Sequence, residues 1–244
     1  MSFIEHLEEL RSRIIKCVIT VFVFSCISYL FVKQILAYAV KPVGKFVFLS
    51  PQEAFFSYLI LTLFMGLFLS SPIIIFQIWR FVCAGLLRHE RKYLLIYGPI
   101  SFILFVGGMT FAFFLILPIG VRFLLSFGTD FLQPMISISR YISFAGMLLL
   151  GFGIVFQLPL AILFLTQVGL VSTLALRRNR KYAILLTFII SAILTPPDVL
   201  SQILMALPIL LLLEISIWVA VLVEHKRVKR KIESTKRFIL SFFL

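Results

Sequence analysis

Residues 54–79 read AFFSYLILTLFMGLFLSSPIIIFQIW, 26 residues between Glu53 and Arg80 without a charge. As an α-helix rising about 1.5 Å per residue this stretch is about 39 Å long. The hydrocarbon core of a bilayer is about 30 Å thick and needs roughly 20 apolar residues to cross. A helix on the surface of a soluble domain would show a polar face along its length, and this one has none. It reads as a transmembrane helix, and it has company. Charge-free runs also cover residues 17–32, 93–121, 141–176 and 182–197, and 199–223 joins them if Glu214 is allowed inside.

The composition agrees, with 61% hydrophobic and 14% charged residues over 244 positions, against about 45–50% and about 25% in soluble domains. The runs predict an all-α membrane protein of six transmembrane helices in a single polytopic domain over residues 1–244, with spans at about 14–32, 55–78, 93–117, 142–168, 182–195 and 199–223. The fourth run is too long for one crossing and is interrupted by Gly169, Ser172 and Thr173, so its helix is expected to end near Val168. The fifth stops at Thr195-Pro196-Pro197-Asp198 and the sixth starts straight after. Both are expected to be short, which calls for a thinned bilayer or a tilt mismatch. Pro72, Pro99, Pro118, Pro159 and Pro208 fall near or within spans and predict kinks.

Six crossings put both termini on one side. On that side lie Arg11, Arg13 and Lys16; Arg80, Arg88, Arg91 and Lys92; Arg177, Arg178, Arg180 and Lys181; and seven bases from Lys226 to Arg237, which is 18 of the 23 Lys and Arg. Lys33, Lys41, Lys45, Arg122 and Arg140 lie opposite. The positive-inside rule places both termini in the cytoplasm. The net charge of +13 thus reports orientation and affinity for anionic lipid, and nucleic acid is not needed to explain it. The basic tail at 224–244, ending in Phe242-Phe243, fits electrostatic tethering to such lipid.

Ahead of the first span, Ser2 and Glu5 fit a capping box. Ile4, Leu7, Leu10 and Ile14 recur at helical spacing, predicting an amphipathic cytoplasmic helix over 1–13 that turns Glu8, Glu9 and Arg11 to water. Those acids are foreign to the positive start of a cleaved signal peptide, so the first span is expected to stay. Enzyme chemistry is absent. Cys17, Cys26 and Cys83 are scattered, no metal-ligand spacing joins them to His6, His89 or His225, and no GxxxxGK loop exists, so no cofactor or metal is expected. Two polar groups stand out within apolar runs: Glu214, where an unpaired carboxylate costs a few kcal/mol or more, and Gln157, an amide suited to interhelical hydrogen bonding. Thr195, Ser201 and Gln202 cluster at the Pro-Pro-Asp turn.

His6-Leu7-Glu8-Glu9-Leu10-Arg11, Ser50-Pro51-Gln52-Glu53, Gln77-Ile78-Trp79-Arg80-Phe81 with Gly85-Leu86 and His89-Glu90-Arg91, Phe152-Gly153 to Phe156-Gln157-Leu158-Pro159, and Pro196-Pro197-Asp198 with Ser201-Gln202 through Pro208 to Glu214 together resemble the TatC family, the multispanning receptor of the twin-arginine protein translocase. The order and placement of these motifs against six spans cover nearly the whole chain. The resemblance implies a receptor that binds twin-arginine signal peptides of folded cargo and, with TatA/TatB-type single-span partners, passes the cargo across a bacterial cytoplasmic or organellar membrane using the proton-motive force, as a homo-oligomer within a larger complex. It assigns signal binding to Glu9 and Glu90, with Arg11 and Phe81 on the same receptor surface. It assigns partner-helix docking to Thr195 and Gln202, and an intramembrane polar concavity to Glu214 and Gln157. Carboxylates suit the first role because two adjacent guanidiniums present N–H forks that an ammonium cannot reproduce. Gln157 departs from the family, where glutamate is common, so no titrating role is expected of it; Ala84 and Ile60 replace a frequent proline and lysine. A small-solute transporter is the alternative from another class, but it predicts a repeat between the two halves of the chain that the sequence does not display.

Overall fold

A computed structural model describes residues 3–40, 46–47, 50–84, 93–126, 136–194 and 199–243. Ten α-helices and one π-helical segment account for nearly all of these, and no strand is present among the described residues, the pairing of Val47 with Ser137 being a single bridge. In chain order the helices are α1 (Phe3–Leu30), α2 (Val32–Val40), α3 (Pro51–Ala84), α4 (Tyr93–Phe111), α5 (Leu117–Leu125), α6 (Ile138–Val155), α7 (Leu158–Val168), α8 (Thr173–Arg178), α9 (Arg180–Leu194) and α10 (Val199–Phe243), with the π segment at Ala112–Ile116. Among the described residues, five stretches are long and apolar enough to cross a membrane: Ile4–Leu30, Pro51–Cys83, Ile96–Leu125, Ile138–Val168 and Met205–Glu224. The expected fifth span corresponds to α9, whose 15 residues reach only about 22 Å, short of a full hydrocarbon core.

Proline explains where the long helices change character. Pro118 cannot donate to the preceding turn, and the helix widens into the π segment just before it. Pro159 likewise occupies the first turn of α7, after the interruption at Phe156–Gln157. Pro72, Pro99 and Pro208 stay inside continuous helices. Gly169, at φ 91°, ends α7 in the left-handed conformation that costs glycine nothing.

The expected break between an interfacial helix and the first span is not there, because residues 4–30 contain neither proline nor glycine to stop a helix and α1 runs on unbroken. Its faces differ from the expectation in part. Glu8 and Arg11 are exposed as expected, but so are Ile4, Leu7 and Ile14, whereas Glu9 joins His6, Leu10, Arg13, Cys17 and Thr20 in the half-buried stripe. In lipid the apolar side chains have no reason to seek the protein, and the polar ones do. The capping serine Ser2 lies outside the described residues.

The helices gather into two compact units, residues 1–154 and 155–244. In the first, α1 and α3 pack antiparallel: His6 meets Phe81 at one end, Arg13 meets Gln77, and Ser25 meets Gly66 further along. A Cβ on Gly66 would lie 2.8 Å from the backbone nitrogen and 2.9 Å from the Cα of Ser25, so only glycine permits this approach. On α6, Gly146 and Gly153 receive the rings of Phe64 and Phe105. On the end of this unit away from His6, Glu53 of α3 accepts hydrogen bonds from the Ser137 hydroxyl and the Ser139 amide, while the Tyr141 hydroxyl donates to the Ala39 carbonyl at 2.8 Å. In the second unit α10 packs against α7, α8 and α9.

The interior is partly hydroxylic and the exterior greasy, the opposite of a soluble protein. Ser57, Ser70, Ser191 and Ser216 are fully buried, while Leu30, Phe114 and Trp218 are wide open. Gly66→Ala should lower the thermal unfolding temperature in detergent by an amount equivalent to about 1–3 kcal/mol of overpacking. Gly107→Ala, where a Cβ meets nothing within 4 Å, should leave it unchanged.

Candidate functional site

Where α1 and α3 meet near the chain's N-terminus, the polar stripe of α1 becomes a site. Glu9 and Arg13 are one helical turn apart, the spacing at which opposite charges on a helix meet, and Arg13 Nη2 donates to Glu9 Oε1. Arg13 Nη1 also donates to Gln77 Oε1 on α3 at 3.2 Å. One turn nearer the end, the His6 ring stacks on Phe81 with centroids 4.4 Å apart and planes 18° apart. The hydrogen bond from Arg13 holds the Glu9 carboxyl below the usual glutamate range; burial pushes the other way and is outweighed, with help from the charges of Arg13, His6 and Arg80. Glu9 is therefore a carboxylate at neutral pH, set among cationic groups and an aromatic face.

Arg11, two residues from Glu9, lies about 200° round the helix and is exposed. The structure brings Glu9 and Phe81 to the same seam and turns Arg11 away from it. Glu90 falls outside the described residues. Arg13, Gln77 and His6 belong to the site although the sequence reading did not single them out; the Glu9–Arg13 spacing of four was the available signal.

The second unit holds the other polar groups. Glu214 is paired within this unit: Arg180 Nη2 donates to its Oε2 at 3.0 Å. The pairing follows from counting, since Arg180 lies 14 residues before the end of α9 at Leu194 and Glu214 lies 15 after the start of α10 at Val199. The carboxylate is thus level with the beginning of α9. Both side chains keep over two-fifths of their surface exposed, at 44% and 43%. Beyond α9, Glu224 accepts from the Thr173 amide at 3.0 Å, holding the start of α8 to α10.

Gln202 is engaged within the unit, its Nε2 donating to the Phe188 carbonyl at 3.0 Å while its own carbonyl accepts from the Ser191 hydroxyl at 2.6 Å. Thr195 falls outside the described residues. Gln157 sits half-buried at the interruption before α7. An apolar cavity of about 410 Å³ in the first unit, lined by residues such as Tyr38, Phe64, Met109 and Tyr141, has no charged group in its wall. No cluster of three His, Cys, Asp or Glu suited to a metal ion occurs among the described residues.

The family model for TatC, the Sec-independent protein translocase protein, matches residues 5–208. The chain belongs to the TatC family. It is 46% identical over 231 residues to the Sec-independent protein translocase protein TatC of Carboxydothermus hydrogenoformans, covering 93% of this chain and 95% of that one. It is 35% identical over 229 residues to TatCd of Bacillus subtilis, covering 93% and 95%. A crystal structure described as the twin arginine translocase receptor TatC superposes with a TM-score of 0.81 at 38% identity, over 89% of this chain and 99% of that chain. The protein is therefore a multi-pass membrane component of a TatC-type translocase and not an enzyme.

A double-mutant cycle with Arg180→Gln and Glu214→Gln, read by thermal unfolding in detergent, should give a coupling of about 1 kcal/mol or less, as expected for an ion pair this exposed. Gln202→Leu should cost about 0.6–2 kcal/mol, the range for interhelical hydrogen bonds in membranes.

Proposed function

We propose that this TatC protein is the receptor of its translocase and binds twin-arginine signal peptides at the seam of α1 and α3. The observation that carries the reading is Glu9: a carboxylate facing an aromatic and cationic seam at the basic end of the first unit, held ionised by Arg13. A carboxylate accepts the parallel N–H bonds of a guanidinium, and Phe81, stacked on His6, offers a ring face to the same ligand. Glu90, in the segment after α3, supplies the second acid for the second arginine. Arg11 is the outlying member of this surface and acts at its edge.

The orientation with both termini in the cytoplasm, supported by 18 of 23 bases on one side, puts the seam where cargo is presented. It requires six crossings, so α9 completes the set as a short span in a locally thinned bilayer. That thinning lowers the barrier to a folded protein driven by the proton-motive force. Small single-span partners of the TatA and TatB type dock along α9 and α10 near Thr195 and Gln202. Gln202 can keep its bond to Phe188 and still offer its second N–H and its Oε1 to such a partner. Glu214, with Arg180, and Gln157 give this part of the receptor its polar lining. The protein works as a homo-oligomer in a larger complex and in contact with anionic lipid, as a single polytopic domain over residues 1–244.

Binding of a labelled Arg-Arg signal peptide to the purified full-length protein tests the reading. Glu9→Gln and Glu90→Gln should each weaken it by on the order of tenfold or more, as removal of one partner of a charged hydrogen-bonded pair does, and should shrink its advantage over a Lys-Lys peptide. Unchanged binding in both variants would refute the site. Since the carboxyl of Glu9 titrates below the usual value, its charge is present above that value and is lost only as the pH falls through the lowered one. In a Glu90→Gln background, the affinity ratio between the Glu9 protein and Glu9→Gln should therefore stay level as the pH drops from 7 to about 4.3, the ordinary glutamate pKa, and decline only below it.

A further inference from the structure

Two atoms on the α1–α3 seam are shut off from solvent and have no hydrogen-bond partner: Oε2 of Glu9 and Nε of Arg13. They belong to the same ion pair. Arg13 reaches Glu9 Oε1 through Nη2 and Gln77 through Nη1, but the second bond of a side-on fork, Nε to Oε2, is not made. Guanidinium and carboxylate bind best through two parallel bonds, and buried polar groups are seldom left open. An ion pair between neighbouring turns of one helix has every opportunity to close both bonds, and this one closes one.

We propose that Arg13 is an internal stand-in for a signal arginine, half-engaging Glu9 in the resting receptor and yielding the carboxylate to the incoming guanidinium. This rests on the reading of Glu9 as a signal-binding residue. Without a ligand, Arg13 neutralises a partly buried acid whose side chain is only 20% exposed, which would otherwise be costly. With a ligand, one guanidinium replaces another, so the exchange gains little in charge and must be driven by geometry. An arginine that uses both Oε1 and Oε2 completes the fork that Arg13 leaves open, and Arg13 keeps Gln77 as a partner. A lysine ammonium is a point donor without a fork and has no such advantage over the resident guanidinium. Arg13 is thereby an internal competitor that raises the threshold equally for every ligand that displaces it, while the preference for arginine over lysine lies in the fork that the ligand makes with Glu9.

The test compares binding of labelled Arg-Arg and Lys-Lys signal peptides to the full-length protein in detergent and in lipid nanodiscs, for the wild type and for Arg13→Gln, Arg13→Lys and Glu9→Gln. Arg13→Gln keeps a hydrogen-bonding side chain and removes the competing charge. It should tighten the Arg-Arg and the Lys-Lys peptide alike, each about five- to tenfold, at the lower end of couplings between linked binding events. Arg13→Lys, with a charge but no fork, should give an intermediate tightening of both. Affinities unchanged in both variants would overturn the inference. So would a loss of Arg-Arg binding in Arg13→Gln that Arg13→Lys restores, because Arg13 would then be a positioning residue for Glu9 and not its competitor. Wild-type Arg-Arg binding in Glu9→Gln would instead remove Glu9 from the site, and the stand-in role with it. If Arg13→Gln does not yield folded protein, the affinities measured in Arg13→Lys decide, since unaltered affinities there mean that the guanidinium of residue 13 sets no threshold.

Discussion

The seam between α1 and α3 closes because Gly66 has no side chain and Ser25 has a small one. Hydrocarbon offers no hydrophobic drive to bring two apolar helices together, so their association depends on close packing and on polar contacts. The crossing at Ser25 and Gly66 supplies the first. The polar stripe from His6 to Arg13, laid against Gln77 and Phe81, supplies the second. Widening the crossing would part the stripe from α3 and expose the carboxylate of Glu9. The polar stripe and the fold are in this respect one construction, since the same crossing sets both.

The existence and order of the helices could be read from the chain because charge is rare in it. A run without Asp, Glu, Lys or Arg longer than a bilayer is thick admits few other structures, and α3, α4 with α5, and α6 with α7 fall within or around such runs. Termination signals were equally direct where residue chemistry forces the backbone, as at Gly169 and Pro159. What could not be read was which way each face turns. Ile4, Leu7 and Ile14 recur at helical spacing, yet spacing alone does not say whether such side chains meet the rest of the protein, and here they stay exposed.

The partner of Glu214 was out of reach for a related reason: neither apolar run by itself shows that the short α9 brings Arg180 level with Glu214. A side chain's height in a membrane protein is set by its partner helix as much as by its own. Glu9 and Phe81 were legible from motif and fell on one seam. Arg11 was legible as a basic residue of the same motif but not as one pointing elsewhere, since a separation of two along a helix reverses direction.

Most buried hydroxyls in this protein spend their hydrogen bonds on their own helix: Ser28 on Phe24, Ser57 on Glu53, Thr62 on Leu59, Ser70 on Leu67, Thr166 on Ile162, Thr187 on Ala183 and Ser216 on Leu212. Hydrogen bonds of this kind are not broken when one helix shifts past another, so where such hydroxyls alone line a contact its friction is set by shape. In the α9–α10 pair Ser191, Gln202 and Phe188 stitch one helix to the other, so that relative movement of those two costs hydrogen bonds as well as packing.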